Sequence, residues 1–202
     1  TRYLSPEPMY HAAPLRFTMM VMRLGGTAVI MEHFDAQRYL QLVQQHRITH
    51  TQLVPTMFVR MLKLPPEARS ACDLSSLKCA IHAAAPCPIP VKEQMIDWWG
   101  PVIWEYYAGT EGNGLTLVDS RSWLTHKGTV GKAVVGTLRI CDFDGRELPV
   151  GEPGTIYFSD GRPFEYHNDP AKTAESRNAA GWTTLGDVGY VDDEGYLYLT
   201  DR

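Results

Sequence analysis

Within Trp104-Glu105-Tyr106-Tyr107-Ala108-Gly109-Thr110-Glu111-Gly112, aromatic rings, a hydroxyl and a carboxylate gather around two glycines, directly after an apolar segment. A loop at the end of a strand needs these residue types to hold a flat heterocycle beside a metal-bound phosphate. Tyr107 offers a ring face to a purine; base stacking on an aromatic contributes ~1–3 kcal/mol in single-stranded nucleic-acid binding. Thr110 can donate a hydrogen bond to a phosphate oxygen, and Glu111 brings the hard oxygen that magnesium prefers. Each has a plainer reading. Thr110 can be a helix cap, Glu111 a surface carboxylate, and the tyrosines core residues, which is the preferred reading for Tyr106.

Four other positions carry chemistry-bearing side chains. Asp187, between Gly186 and Val188 in an expected tight loop, can accept both hydroxyls of a ribose, or bond to its own turn backbone. Arg202 has the planar fork that suits ribose or phosphate oxygens, although a terminal arginine is more often solvated. His11 can line an acid-binding pocket or fix a carboxylate; a satisfied buried histidine is the alternative. His82 is read more cautiously, as a surface nitrogen or one standing behind other contacts. It precedes Ala83-Ala84-Ala85-Pro86-Cys87-Pro88, whose small side chains let a ligand approach the backbone closely. No Ser-His-Asp order can be assigned, and no GxSxG elbow occurs.

The elements that must position these groups alternate. Residues 15–24 read as a buried helix stopped by Gly25-Gly26, and Thr27-Ala28-Val29-Ile30-Met31 as a strand covered on both faces. A helix follows over 34–45 with Asp35 as its cap, then a strand over 48–54 closed by Pro55 and a helix over 56–63. Residues 77–82 form the next strand, Pro90 starts a helix reaching Trp98 or Trp99, and Val102-Ile103-Trp104 is a strand that delivers the opening stretch. This alternation predicts an α/β layer with a largely parallel sheet and flanking helices. Such sheets bind ligands outside the carboxyl ends of their strands, so the 82–88 and 106–112 loops are expected on one functional edge.

After about residue 125 glycines separate short strands, and Asp144-Gly145 signals a hairpin. A small distorted antiparallel β-barrel is expected over residues 126–202, following an α/β subdomain over 1–125. Asp169-Pro170 starts a short helix within it.

Composition narrows the function. The chain has 202 residues, 44% hydrophobic and 21% charged, which suits an ordinary globular core. A net charge of -4 disfavours general nucleic-acid binding. Cys72, Cys79, Cys87 and Cys141 show no CxxC and no paired histidine spacing, so they are expected reduced and buried. No apolar run approaches the ~18 residues of a membrane span. The expected location is cytoplasmic, with peripheral membrane contact open for a longer protein.

Taken together, Pro8-Met9-Tyr10-His11, Ala83-Ala84-Ala85-Pro86, Tyr107-Ala108-Gly109-Thr110-Glu111, Gly128-Thr129-Val130-Gly131-Lys132 and Trp182-Thr183-Thr184-Leu185-Gly186-Asp187 resemble the adenylate-forming superfamily in order and spacing. Tyr166-His167-Asn168-Asp169-Pro170-Ala171-Lys172-Thr173-Ala174 adds that family's Tyr-x-Asn-x-Pro-x-x-Thr run. The nearest likeness is to acyl-CoA synthetases of the fatty-acid type. That resemblance implies activation of a carboxylic acid with ATP and Mg2+ to an acyl-adenylate, then transfer to coenzyme A. It implies adenine on Tyr107 with the backbone of Ala83, Ala84 and Ala85 beside it, phosphates on Thr110, magnesium on Glu111, ribose on Asp187, ribose or phosphate on Arg202, and the acid near His11.

The sequence departs from the pattern at Ala108 (commonly glycine), Leu185 (commonly threonine) and Ser159-Asp160-Gly161 (commonly Arg-Gly). The family's phosphate loop is expected upstream of Thr1 and its mobile C-terminal domain after Arg202, making this chain a central fragment without turnover of its own. The alternatives are an enzyme that loads a carrier-protein thiol, an aryl or other carboxylate-CoA ligase, and an isolated nucleotide-binding or structural module.

Overall fold

The computed structural model describes residues 1–201. They form two compact units, one of residues 1–105 with 119–124, the other of 106–118 with the chain from 125 onward. In chain order the elements begin β1 (Arg2–Ser5), α1 (Ala12–Arg23), β2 (Thr27–Ile30), α2 (Ala36–His46), β3 (His50–Leu53), α3 (Pro55–Leu62), α4 (Pro66–Ser70), β4 (Cys79–His82), α5 (Ile89–Trp99) and β5 (Ile103–Ala108), which passes from the first unit into the second after Glu105. Then come β6 (Leu115–Asp119), α6 (Ser120–Thr125), β7 (Lys132–Val135), β8 (Thr137–Cys141), β9 (Gly154–Ser159), α7 (Pro170–Glu175), β10 (Thr183–Val191) and β11 (Leu197–Asp201).

The strand order is β2-β1-β3-β4-β5-β6-β7 in one sheet and β11-β10-β9-β8 in the other. The first is parallel from β2 through β5, with β6 and β7 antiparallel to each other. The second is antiparallel throughout. This is the expected α/β sheet with flanking helices followed by a small antiparallel half-barrel.

Local chemistry explains the helices of the first unit. The Asp35 side chain accepts from Arg38 N at 2.7 Å, a cap worth ~1 kcal/mol, and α2 closes on Arg47 in the left-handed region. Tyr39, Leu40 and Val43 bury one face of α2 completely. Pro55 begins α3, where its missing N–H has no helical partner to lose.

One strand is added to those expected, and one expectation changes. β1, over residues for which no strand is predicted, lies between β2 and β3, paired in register Tyr3↔Ala28 and Tyr3↔His50. Four residues are too few to show a period, and both partners are remote in sequence. β2 is an edge strand with Thr27 and Ile30 exposed, not one covered on both faces. The cysteines are all free, yet only Cys141 is buried; Cys72, Cys79 and Cys87 are half-buried.

The second unit packs Val130, Ile140, Ile156, Phe158 and Leu197 into a core, with Tyr107, Leu138 and Leu199 against it. Fully burying side chains of this size contributes about 1.5–3 kcal/mol each. Gly131 sits at φ 101, where a Cβ would strike the Leu117 carbonyl, so only glycine fits. Asp169 caps α7 by accepting from Lys172 N at 2.9 Å. Among the described residues, no helix is long and apolar enough to cross a membrane.

Candidate functional site

Parallel pairing sends the chain out of β1, β3 and β4 at one edge, the carboxyl edge where open α/β sheets receive ligands. Residues 6–11 leave β1 there, and residues 83–88 leave β4. His11 occupies the N-cap of α1 without a side-chain cap bond. It is exposed, and its ring tilts against Tyr10 with centroids 4.4 Å apart. The satisfied buried histidine is therefore excluded.

Ala83 is buried, and Ala84 and Ala85 are exposed. Ala84 adopts φ 74, a left-handed conformation that costs a residue with a Cβ roughly 1–2 kcal/mol. Strain of this kind persists where surrounding structure holds it.

In the second unit, β5 continues through Tyr106 and Tyr107 to Ala108, so the aromatic pair stands on a strand and the loop starts only at Gly109. Alternation then gives the two tyrosines opposite faces. The Tyr107 ring stacks on Phe158 at 6.4 Å, and its hydroxyl donates to Asp187 Oδ2 at 2.8 Å. Asp187 is 8% exposed and belongs to β10 rather than a tight loop. The pairing of β10 with β9 shifts between Thr184 and Val188, and Gly186 at φ 85 supports that irregularity. The bulge re-aims the Asp187 side chain relative to a regular strand.

Glu111 Oε1 accepts from the Tyr166 hydroxyl at 2.9 Å. Desolvation raises the Tyr166 phenol above its ordinary value, and the hydrogen-bonded Glu111 carboxylate adds to the rise. A Cβ on Gly109 would strike Leu185 and come within 2.7 Å of Glu111 Oε2, so the bare glycine is what allows the carboxylate to fold over the turn. That turn closes with Gly112 N donating to Gly109 O at 3.2 Å. Thr110 is exposed at its tip.

The second unit thus brings Tyr107 together with Asp187, and Glu111 together with Tyr166. Tyr166 was visible only as part of a motif. Its role as a carboxylate partner depends on a contact 55 residues away in sequence. Arg202 lies outside the described residues.

A carboxylate has about four lone-pair sites, so the Tyr166 phenol leaves capacity for a ligand at Glu111. One protein carboxylate suits magnesium, which keeps several waters and takes further oxygens from substrate phosphates. No group of three or more His, Cys, Asp or Glu able to hold an ion occurs among the described residues.

The first unit also contains a buried acid that no local sequence pattern marks. Glu7 Oε1 accepts from Gln52 Nε2 at 3.1 Å, with both side chains buried. Burial pushes the Glu7 carboxyl up to about 7, partly opposed by that hydrogen bond. Because its folded pKa exceeds the unfolded value, Glu7 contributes stability in acid and loses it as pH rises through about 7. Glu7→Gln keeps the shape without the titration. In thermal melts of the full-length protein the variant is expected to overtake wild type at about pH 8 and lose that advantage near about pH 5. Parallel melting curves at both pH values would contradict a titrating Glu7.

Comparison with known proteins adds three results. The AMP-binding enzyme family model matches residues 1–162. The chain is 33% identical to 4-coumarate--CoA ligase 1 of Oryza sativa subsp. japonica over 96% of its own length and 36% of the relative's. It is 32% identical to the long-chain-fatty-acid--CoA ligase FadD13 of Mycobacterium tuberculosis, over 100% of its length and 40% of the relative's. The solved amide bond synthetase McbA of Marinactinospora thermotolerans superposes with a TM-score of 0.86 at 27% identity, covering 100% of this chain and 41% of that one. The chain spans about two fifths of the length of these proteins.

Proposed function

Because the chain belongs to the AMP-binding enzyme family, we propose that the full-length protein activates a carboxylic acid with ATP and transfers the acyl group to coenzyme A, with aryl acids placed ahead of fatty acids. In the first step an acid oxygen bonds to the α-phosphorus of ATP while the bond to the bridging oxygen breaks and pyrophosphate leaves. In the second, the coenzyme A thiolate bonds to the acyl carbon and AMP leaves.

The Tyr107–Asp187 hydrogen bond carries this reading. It joins the residue suited to a base and the residue suited to a ribose, 80 positions apart in sequence, through one 2.8 Å contact. Tyr107 then supports the purine, and Asp187 accepts from the ribose hydroxyls. Thr110 donates to phosphate oxygens and Glu111 holds magnesium; in the first unit, the small side chains of Ala83, Ala84 and Ala85 leave a backbone that a base can approach. Magnesium, when bound, supplies charge neutralisation on the phosphates. Tyr166 orients Glu111 through its hydrogen bond, so the carboxylate need not reorganise as charge develops.

The aryl preference draws on the exposed Tyr10–His11 ring pair ahead of α1, which offers aromatic faces to an aromatic acid, and on the 4-coumarate--CoA ligase relative. The fatty-acid reading draws on the small side chains Ala12 and Ala13 and on the FadD13 relative.

ATP–pyrophosphate exchange by the full-length protein, driven by 4-coumarate or by straight-chain saturated acids of graded length, separates the two. Faster exchange with the aryl acid is expected. Faster exchange with aliphatic acids would reverse the order, and exchange with none would reject adenylation.

A further inference from the structure

Glu105 is the point where both ends of the 83–88 segment converge. It lies opposite His82 in the parallel register of β4 and β5 and is 5% exposed. Lys92, in the first turn of α5 and fully buried, donates to Glu105 Oε2. His82 Nε2 stands 3.6 Å from the same oxygen, just beyond hydrogen-bond range. Neither ring nitrogen of this fully buried histidine has a hydrogen-bond partner among the described residues.

Aromatic rings wall the cluster off. Phe58 of α3 meets the imidazole edge-on with centroids 5.2 Å apart, and the Trp123 indole of α6 lies 4.6 Å from Lys92 Nζ. An ion pair so placed is a poor way to gain stability, because desolvation opposes the attraction. Its position in the chain suggests what it does instead. His82 is the last residue of β4, and Lys92 follows closely after the segment ends. Between them lies Ala84 at φ 74, which the surroundings must hold.

We propose that Glu105 is a positioning residue that, through Lys92 and His82, clamps both ends of the 83–88 segment and keeps the Ala83, Ala84 and Ala85 backbone in the shape that receives the nucleotide base. This rests on the adenylation reading. Burial holds His82 well below its usual range, so the ring is neutral and can direct an Nε2–H at Glu105 without adding charge. Burial also lowers Lys92 and raises Glu105, and each is drawn back by the other.

The test is the full-length double variant Lys92→Met/Glu105→Leu. Replacing a buried ion pair by apolar groups of similar volume is often neutral or stabilising, so the protein is expected to melt at or above the wild-type temperature. It is nevertheless expected to show a KM for ATP about tenfold higher in ATP–pyrophosphate exchange, with the KM for the acid unchanged. A double variant that melts like wild type and keeps the wild-type ATP saturation curve overturns the proposal.

Should the double variant melt lower, Glu105→Gln keeps the shape but removes the charge that holds Lys92 and faces the His82 N–H. A folded Glu105→Gln protein with unaltered ATP saturation overturns the proposal equally. If wild type itself shows no acid-dependent exchange, the adenylation reading fails. The clamp is then judged by amide hydrogen exchange at Ala83, Ala84, Ala85 and Cys87. Faster exchange in the double variant supports it, and equal rates reject it.

Discussion

Lys92→Met alone is expected to destabilise the full-length protein by about 3–5 kcal/mol at about pH 8, the usual cost of removing one partner of a buried ion pair. The loss should shrink in acid. Burial already raises the Glu105 carboxyl with Lys92 beside it, and removing the ammonium takes away the largest opposing influence. In the variant, folding therefore favours the protonated acid. A carboxyl whose folded pKa exceeds its unfolded value contributes stability below the unfolded value and loses it as pH rises through the folded one. Melts of wild type and variant across about pH 5 to 8 should diverge with increasing pH. Curves that stay parallel would mean that Glu105 does not depend on Lys92 for its charge, and equal melting temperatures that the pair contributes nothing.

The second large effect belongs to chemistry rather than folding. Glu111→Gln is expected to lower ATP–pyrophosphate exchange by the full-length protein about a hundredfold at limiting magnesium, close to 2.7 kcal/mol of transition-state stabilisation. The substitution keeps the side-chain shape, and an amide oxygen still accepts from the Tyr166 hydroxyl, so thermal stability should hardly change. Raising magnesium should recover part of the rate, because the metal is held less tightly rather than excluded. Unchanged exchange at limiting magnesium would remove Glu111 from the metal site and leave it as an anchor for Tyr166.

Comparison of these two sites shows what kind of information a sequence holds. Thr110, Glu111 and Asp187 were recognisable because their types, spacing and glycine neighbours are local. So were the Asp35 and Asp169 caps, Pro55 at the start of α3 and the Asp144-Gly145 turn, where Gly145 N donates to Asp142 O at 3.1 Å. A side chain bonding to backbone three residues away needs no distant partner.

The clamp was hidden for the opposite reason. No local pattern in the sequence marks His82, Lys92 and Glu105 as partners. Helical position alone does not reveal that Lys92 is fully buried. Glu7 stayed unremarked because only Gln52, 45 residues on, marks it as buried.

By itself, then, the sequence determined the alternation of strands and helices, the helix ends and the motifs that mark the AMP-binding enzyme family, since propensity, capping and glycine freedom act within a few residues. Tertiary structure alone decided that β1 inserts beside β2, that β5 carries Tyr107 on a strand, that a bulge in β10 brings Asp187 to the Tyr107 hydroxyl, and that one carboxylate gathers both ends of the 83–88 segment. Strand pairing, desolvation and buried ion pairs depend on groups far apart in the chain, and their energies exist only once the fold has taken water away from them.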